Sequence, residues 1–468
     1  MKYRSTRGGT EPVPFRQAVM TGLARDGGLL LPETYPDVAA RLGAWRALPY
    51  PELAFEVMRL FADDLPEATL RRIVSESYAT FSHPEVTPVV KVGDVHVLEL
   101  FHGPTLAFKD VALQFLGRLF EHLLEESDTE LNVVAATSGD TGSAAIHGLR
   151  GRRRLRIFVL HPDGRVSPVQ EMQMTTVLDD NVFNLAVDGT FDDCQGIVKD
   201  LFRDLEFRDR CRLGAVNSIN WARVLAQVVY YFYAAFRVQD ATGASSVRFT
   251  VPTGNFGDIF AGYVACRMGL PVDRLVLATN ENDILARFFR TGEYRRGAVH
   301  ATLSPSMDIQ VASNFERWLF HRAGDDPARL RSWMESFAKD GVLTLPVAPS
   351  GPVDPLFVGE TGDTAATLET IRRYHAVHGY VLDPHTAVGV ACAERHLSAD
   401  HPMICLSTAH PAKFADAIRR ATGIDGLATH PSVEALRSLP RRQDHLPADT
   451  AAVAEYVQSR LGMTGVSP

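Results

Sequence analysis

The chain has 468 residues, 46% hydrophobic and 22% charged, a composition typical of a soluble protein long enough for two or three domains. Its formal net charge of −8 gives no basic surface field, so we expect neither nucleic acid nor an anionic membrane as a partner. The five cysteines are scattered without a Cys-x-x-Cys pair, which argues against a structural zinc and for reduced thiols in the cytoplasm.

The first 95 residues predict a mainly helical N-terminal domain. Apolar residues recur at helical spacing in residues 51–62 and 67–78. The N-terminus is charged and lacks a long apolar core, so we do not expect a secretory signal. The longest apolar segment, residues 228–236, is much too short to span a bilayer.

From about residue 96 the pattern of strand, loop and helix repeats several times, which predicts a parallel, doubly wound sheet. We expect a first α/β region at 96–215, a second at 216–430 with a peripheral helical insertion at about 322–380, and a C-terminal tail and helix at 431–468. Four of the strand-to-helix junctions carry chemically unusual residues.

The first junction places one lysine at the start of an apolar helix. Residues 95–101 are an apolar run of strand length, and residues 102–105 are a turn cluster. Lys109 follows in the first helical turn, where the helix dipole and the apolar neighbours both disfavour an ammonium group. This position suits a Schiff-base lysine, whereas the alternative is an ordinary lysine paired with Asp110.

The second junction is the small-residue loop SGDTG at 138–142, between a strand at 131–137 and a helix from Ala144 onward. Loop amides and hydroxyl groups at a helix N-terminus suit a carboxylate or a phosphate. The alternative is a plain N-cap by Ser138 or Asp140.

The third junction follows a strand at 247–252 and has the sequence TGNFGD at 253–258. Two glycines around an asparagine at a strand-to-helix turn predict a phosphate cup of backbone amides. The spacing matches neither a Walker loop nor the dinucleotide fingerprint.

The fourth junction follows a strand that begins at Met403 and ends in the hydroxyl residues 407–408. Hydroxyl groups at the carboxyl end of a buried strand face the crevice where open α/β sheets bind ligands. Lys413, a few residues later, is expected either to hold an anion or to cap a helix face.

Two further segments are expected to line a site. Residues 217–227 place Asn220 and Arg223 before a very apolar helix, and residues 304–317 form a polar loop. A guanidinium suits a bidentate hold on phosphate, although an ordinary helix salt bridge is the alternative for Arg223. The turn at 383–386 is interpreted as a structural N-cap.

Together the four junctions resemble the pyridoxal-phosphate enzymes of fold type II, the tryptophan synthase β family. Longer strings are similar to the threonine synthase family, in its bacterial and fungal branch with an extended N-terminal domain. These strings are MKYRSTRG at 1–8, GLARDGGLLLPE at 22–33, LFHGPTLAFKD at 100–110, TSGDTGSAA at 137–145, NSINWAR at 217–223, GNFGD at 254–258, SMDIQVASNFER at 306–317 and STAHPAKF at 407–414.

The resemblance implies an α/β fold of type II, with two doubly wound α/β domains, the cofactor in the cleft and an additional N-terminal mainly helical domain. It implies pyridoxal 5′-phosphate as the cofactor and Lys109 as both its Schiff-base partner and the catalytic acid and base. The implied cofactor-binding residues are Lys109, Gly254, Asn255, Phe256, Gly257, Asp258 and Thr408. The expected substrate-binding residues are Ser138, Gly139, Asp140, Thr141, Asn220, Arg223 and Lys413, and no metal is expected.

The implied reaction converts O-phospho-L-homoserine and water to L-threonine and phosphate in a cytoplasmic monomer or homodimer. The alternative on the same fold is a related phospholyase or a serine/threonine dehydratase, which does not add water at Cβ. A catalytically silent cofactor-binding or scaffold protein is an alternative from another class. An NAD-dependent oxidoreductase is disfavoured because the dinucleotide fingerprint is absent from the sequence.

Overall fold

The structure is a computed structural model, and it describes residues 1–347 and 352–463. Internal contacts divide the chain into two compact units. The first unit combines residues 1–112 with 218–429, and the second combines residues 113–217 with the chain from residue 430 onward. The division falls within the first turns of the helix that begins at Lys109. The domain boundaries expected at residues 95, 215 and 430 follow the sequence pattern and stay a prediction.

The helices account for most of the regular structure. In chain order they are α1 (Phe15–Thr21), α2 (Leu42–Trp45), α3 (Tyr50–Met58), α4 (Glu67–Tyr78), α5 (Lys109–Glu126), α6 (Asp140–Leu149), α7 (Pro168–Thr175), α8 (Phe191–Arg203), α9 (Leu205–Arg210), α10 (Trp221–Thr242), α11 (Gly257–Arg267), α12 (Ile284–Thr291), α13 (Phe315–Arg322), α14 (Pro327–Asp340), α15 (Thr364–His378), α16 (Pro384–Ala393), α17 (Ala415–Thr422), α18 (Pro431–Leu436) and α19 (Thr450–Arg460). Short 3₁₀ turns occur at Ala39–Arg41, Pro305–Met307, Glu394–His396 and Pro411–Phe414.

The strands alternate with these helices. They are β1 (Tyr3–Ser5), β2 (Leu30–Pro32), β3 (Val89–Val92), β4 (Val95–Glu99), β5 (Leu131–Ala136), β6 (Leu155–Pro162), β7 (Val182–Asp188), β8 (Leu213–Gly214), β9 (Val247–Pro252), β10 (Val272–Thr279), β11 (Glu293–Arg295), β12 (Val342–Thr344), β13 (Phe357–Thr361), β14 (Met403–Ser407) and β15 (Asp444–Pro447). Short antiparallel pairs form between β1 and β2 and between β11 and β12.

The first unit is built on a six-stranded sheet in the order β13-β10-β9-β14-β4-β3. All neighbours are parallel except β3, which runs antiparallel to β4. Because β9, β14 and β4 are adjacent and parallel, their carboxyl ends lie at one edge of the sheet. The third, fourth and first junctions therefore begin side by side.

The second unit contains an all-parallel five-stranded sheet in the order β15-β7-β6-β5-β8. The second junction leaves this sheet from β5 and enters α6. Two glycines let α5 approach α6 closely, because a Cβ at Gly117 would lie only 2.0 Å from the carbonyl oxygen of Gly148. The two sheets confirm the parallel α/β architecture that the alternating sequence pattern predicts.

The N-terminal segment packs its aromatic residues onto α10 within the first unit. The Tyr50 ring of α3 lies 5.3 Å from that of Tyr233, and the Tyr3 ring lies 6.0 Å from that of Trp221. The apolar segment 228–236 forms the buried middle of α10. Over the residues described, no helix is both long enough and apolar enough to cross a membrane.

The range 322–380, expected to be a peripheral helical insertion, also supplies a strand of the main sheet. It contains α14 and α15, but β13 pairs in parallel with β10 at the sheet edge. Residues 348–351 of this range, and residues 464–468 of the expected C-terminal tail, lie outside the described residues.

Candidate active site

The turn before α5 folds around the carboxylate of Asp110. This carboxylate accepts hydrogen bonds from the backbone N–H and the hydroxyl group of Thr105, each 2.8 Å long. A Cβ at Gly103 would lie 2.4 Å from the Cβ of Asp110, so the turn requires glycine there. Burial raises the pKa of Asp110 to about 6, although the bonds from Thr105 oppose the shift. Asp110 therefore fixes the start of α5 rather than serving only as a counter-ion.

Lys109 is the first residue of α5 and is 9% exposed. Its amine nitrogen Nζ donates a hydrogen bond to Oγ of Ser306 over 3.4 Å and lies 5.7 Å from the centre of the Phe108 ring. The lysine side chain is therefore mostly shielded from solvent. Its hydrogen-bond partner Ser306 belongs to a loop that is distant in sequence.

That loop, residues 302–308, is held by the carboxylate of Asp308. One carboxylate oxygen accepts from the hydroxyl group of Thr302 and from the side-chain amide of Asn280, both at 2.7 Å. The other accepts from the backbone N–H of Thr302 at 2.9 Å. These bonds close the loop that carries Ser306 on itself.

The glycine loop after β9 packs directly against Ser306. A Cβ at Gly254 would lie 2.4 Å from the carbonyl oxygen of Ser306. Phe256 adopts a left-handed conformation with φ 63°, immediately before α11 begins. The carbonyl oxygen of Asn255 accepts from the backbone and side-chain N–H groups of Asn314, at 3.0 and 3.1 Å. Ser306 and Asn314 therefore both contact the backbone of the glycine loop.

The side chain of Asp258 points to α10. Its Oδ1 accepts from the hydroxyl groups of Tyr230 and Tyr231 at 2.5 and 2.9 Å. Burial raises the pKa of Asp258 to about 6, and the two tyrosine hydroxyl groups oppose the shift. The structure gives this carboxylate a role in holding α11 against α10, and the expected cofactor contact of Asp258 stays a prediction.

Thr408, directly after β14, lies beside the lysine junction. Its carbonyl oxygen accepts from the backbone N–H of Phe108 at 2.8 Å, and Ala409 forms an antiparallel bridge with Ala107. Lys413 belongs to the same region, since its buried amine donates to the carbonyl oxygen of Thr105 at 2.7 Å. The first and fourth junctions are therefore joined by hydrogen bonds.

The two expected substrate residues near α10 are both buried. Asn220 caps α10, since its Oδ1 accepts from the N–H of Ala222 at 3.0 Å and its amide donates to the carbonyl oxygen of Val19 at 2.8 Å. Arg223 lies in the first turn and is 4% exposed. Burial lowers its pKa to about 10, partly offset by Tyr230, so the guanidinium is charged at neutral pH. The Asn220 contacts are structural, and its substrate role stays a prediction.

The small-residue loop of the second unit has its own internal support. Thr137 caps it, because its hydroxyl oxygen accepts from the N–H groups of Gly139 and Gly142 at 2.9 and 2.8 Å. Gly139 has φ 138°, and a Cβ there would lie 2.2 Å from Oε1 of Gln170. Asp140 accepts from the Gln170 amide at 2.8 Å.

The N-cap position of α6 is Gly139, with no side-chain bond, so neither Ser138 nor Asp140 is its cap. Ser138 is exposed and Thr141 is half-buried.

The groups gathered in the first unit fit pyridoxal phosphate. A buried lysine amine suits its aldehyde, and the N–H groups at the start of α11, which lack intrahelical partners, suit its phosphate. The glycine loop next to them is closely packed, since a Cβ at Gly257 would lie 3.1 Å from the side-chain Nδ2 of Asn314. The strand-end hydroxyl of Thr408 suits the pyridine nitrogen.

The sequence did not single out Ser306, Asn314 or His385. The sequence predicts that the loop 304–317 lines a site but does not indicate which of its residues does so. The N-cap predicted at 383–386 is confirmed, since Asp383 caps α16, but Nε2 of His385 also accepts from the backbone N–H of Ser306 at 3.2 Å. The available signal was the string SPSMD, in which a hydroxyl residue precedes a carboxylate in a loop.

Known protein families match nearly all of the chain. Residues 2–78 match the family described as Threonine synthase N terminus, residues 82–351 the family Pyridoxal-phosphate dependent enzyme, and residues 386–457 the family Threonine synthase, C-terminal. A threonine synthase of Schizosaccharomyces pombe is 48% identical over 90% of this chain and 89% of its own length. One of Pseudomonas aeruginosa is 46% identical over 98% of each chain.

Solved structures agree with these families. A PLP-bound threonine synthase from Brucella melitensis has a TM-score of 0.93 and 46% identity, covering 98% of this chain and 99% of its own. A yeast threonine synthase has a TM-score of 0.93 and 44% identity with the same coverage. These likenesses confirm the predicted fold type II.

The raised pKa of Asp258 predicts a pH-dependent cost. Its carboxyl group holds a proton up to about pH 6 in the folded chain but only to about pH 3.8 in the unfolded chain. The contribution of the protonated carboxyl group to folding stability is therefore full below about pH 4 and is lost as the pH rises through 6. Asp258→Asn does not titrate. We expect the stability of the variant, relative to the original chain, to rise by about 2 kcal/mol between pH 4 and pH 7.

Urea unfolding of both chains at several pH values between 4 and 7 measures this difference. A stability difference that stays constant across the range would show that the buried carboxylate carries no such cost.

Proposed function

This chain belongs to the threonine synthase family of pyridoxal-phosphate-dependent enzymes, and we propose that it converts O-phospho-L-homoserine and water to L-threonine and phosphate. Family membership confirms the predicted cofactor and the lyase class. One arrangement supports the activity above all others: Ser306 contacts both the amine of Lys109 and the glycine loop at Gly254.

The reaction removes protons from Cα and Cβ, releases phosphate from Cγ, returns a proton to Cγ, adds the hydroxyl group of water at Cβ and returns a proton to Cα. When bound, pyridoxal phosphate supplies the electron sink that makes the first of these proton losses accessible. The chain must supply a base that reaches several carbons in turn, donors for two anions, and a place for one water molecule.

Lys109 is the proposed base and acid. We assign to its amine the removal of the Cα and Cβ protons and the protonation of Cγ. The 3.4 Å contact with Ser306 is long for a hydrogen bond, so it directs the amine without fixing it at one carbon.

The cofactor is proposed to sit against the glycine loop and the strand end. Backbone N–H groups of Gly254, Asn255, Phe256, Gly257 and Asp258 are assigned to its phosphate. The hydroxyl group of Thr408 is assigned to its pyridine nitrogen. A neutral hydroxyl partner there would leave the ring a weaker electron sink than a carboxylate partner would.

Two groups of residues are assigned to the substrate. The loop Ser138, Gly139, Asp140 and Thr141 at the start of α6 is assigned to the substrate carboxylate, because loop amides and the helix dipole favour an anion there. Arg223 and Lys413, with Asn220, are assigned to the substrate phosphate. A chain of net charge −8 needs such local cations to bind a dianion.

The proposed partners are limited to this small-molecule substrate, without nucleic acid or membrane, in a cytoplasmic monomer or homodimer. Light scattering on the active holoenzyme measures the assembly state, and a stable larger oligomer would contradict that part of the proposal.

Product analysis tests the activity. The protein is incubated with pyridoxal phosphate and O-phospho-L-homoserine, and the carbon product and free phosphate are measured together. We expect threonine and phosphate in equal amounts, and no threonine from Lys109→Ala, since that variant lacks the base. 2-Oxobutyrate with phosphate would instead identify a lyase that does not capture water, and threonine formation by Lys109→Ala would contradict the role of the lysine.

Arg223→Gln tests the phosphate assignment. We expect the KM for O-phospho-L-homoserine to rise about tenfold or more, because a charge-assisted bond to phosphate contributes roughly 2 kcal/mol. Affinity for pyridoxal phosphate should not change. Unchanged turnover and KM would contradict the assignment.

Arg248→Gln is the control, because Arg248 is another arginine of the first unit and lies at the start of β9 rather than at its carboxyl end. Its guanidinium donates to the carboxylate of Asp273 and to the carbonyl oxygen of His396, at 2.6 and 2.8 Å. Loss of these bonds is expected to lower the melting temperature and to leave the KM within about twofold of its original value.

A further inference from the structure

A turn of the chain remote from Lys109 in sequence is connected to it by hydrogen bonds. The turn begins at Asp383, whose carboxylate is completely buried. Its Oδ1 accepts from the backbone N–H and from the ring Nδ1 of His385, both at 3.0 Å. Its Oδ2 accepts from the hydroxyl group and the N–H of Thr386. A carboxylate that bonds so many groups of one turn fixes the direction of the side chains there.

The partners of His385 define its tautomer. Nε2 lies 3.2 Å from the backbone nitrogen of Ser306, and a backbone N–H can only donate. Nε2 is therefore the unprotonated nitrogen, and the proton on Nδ1 is donated to Asp383. The ring is 3% exposed, and the Phe414 ring packs edge-on against it at 5.0 Å. The histidine is held in one orientation with its lone pair toward Ser306.

Ser306 connects His385 to Lys109 and to the glycine loop. Its N–H bonds to His385, its Oγ accepts from the amine of Lys109, and its carbonyl oxygen faces Gly254. A shift of the Ser306 backbone would move its hydroxyl group and its carbonyl oxygen together. The hydrogen bond that the Ser306 N–H donates to His385 opposes that shift.

The same carboxylate also reaches the strand end. The hydroxyl group of Thr386 lies 3.0 Å from that of Ser407, the last residue of β14. Thr408 follows directly. Asp383 thus connects two of the places at which the cofactor is proposed to be held.

We propose that His385, fixed by Asp383, is a positioning residue for Lys109: it accepts the N–H of Ser306 and so directs the Ser306 hydroxyl group to the lysine amine. His385 does not exchange protons with the substrate. The inference rests on the proposed function, because it concerns the same lysine and the same cofactor.

Cofactor loading in the absence of substrate tests this role. Pyridoxal phosphate is removed from the full chain and added back, and absorbance follows its condensation with the Lys109 amine, which releases one water. His385→Gln places an amide oxygen, which can accept a hydrogen bond, near the position of Nε2. The side chain of His385→Asn is shorter, so its amide lies only near the position of Nδ1. The matched control is His321→Asn, because His321 also bonds a carboxylate, Asp325 at 2.7 Å, and contacts Tyr35 instead of Ser306.

We expect His385→Asn to slow loading and to lower kcat about tenfold each, with the KM within about twofold, because a displaced reacting group loses rate rather than affinity. His385→Gln should recover both values to within about threefold of the original chain. His321→Asn should lower only the melting temperature.

A folded His385→Asn chain that loads and turns over like the original would overturn the proposal. So would a glutamine variant as slow as the asparagine variant. Ser306→Ala retains the bond to His385 and removes only the hydroxyl group, so it tests the same path even if position 385 proves intolerant. Loading at the original rate in Ser306→Ala would also reject it. Because loading needs no substrate, these outcomes are independent of whether the holoenzyme makes threonine.

Discussion

Ser306 lies between Lys109 and Gly254, and this placement leaves no room for a side chain at position 254. The serine hydroxyl group bonds the lysine amine, while its carbonyl oxygen would be 2.4 Å from a Cβ on the glycine. The loop that carries Ser306 is held by hydrogen bonds to Asp308. The relative position of the base and the phosphate-binding backbone is therefore set by contacts within the protein, as preorganised catalysis requires.

Buried charge is the second constraint on the site. Asp110, Asp258, Lys413 and Arg223 are each less than one-tenth exposed. Isolated charges in such positions would cost far more free energy than a domain can offset, and each of the two carboxylates is surrounded by hydroxyl or N–H donors. The raised pKa of both carboxylates shows that these donors reduce the cost without removing it.

The sequence predicts what depends on local pattern. Alternating apolar runs and turn clusters located the strands that precede Lys109, Gly254 and Thr408, because strand and helix periodicity are encoded within short windows. It did not reveal that His385 bonds Ser306, because that contact joins residues 79 positions apart in the sequence. The alternative that it left open at α6, an N-cap by Ser138 or Asp140, is wrong. A capping hydroxyl group can come from several neighbouring positions, and Thr137 supplies it.

The affinity of pyridoxal phosphate for Gly254→Ala, measured by titration of the cofactor-free chain, tests most directly whether the Ser306–Gly254 approach defines the site. The added methyl group must displace a backbone carbonyl, so we expect about tenfold weaker binding or more in a chain that remains folded. Gly43→Ala, where a Cβ would have nothing within 4 Å, should bind normally. Equal affinity in the two variants would contradict this account, because the cofactor loop would then tolerate displacement of Ser306.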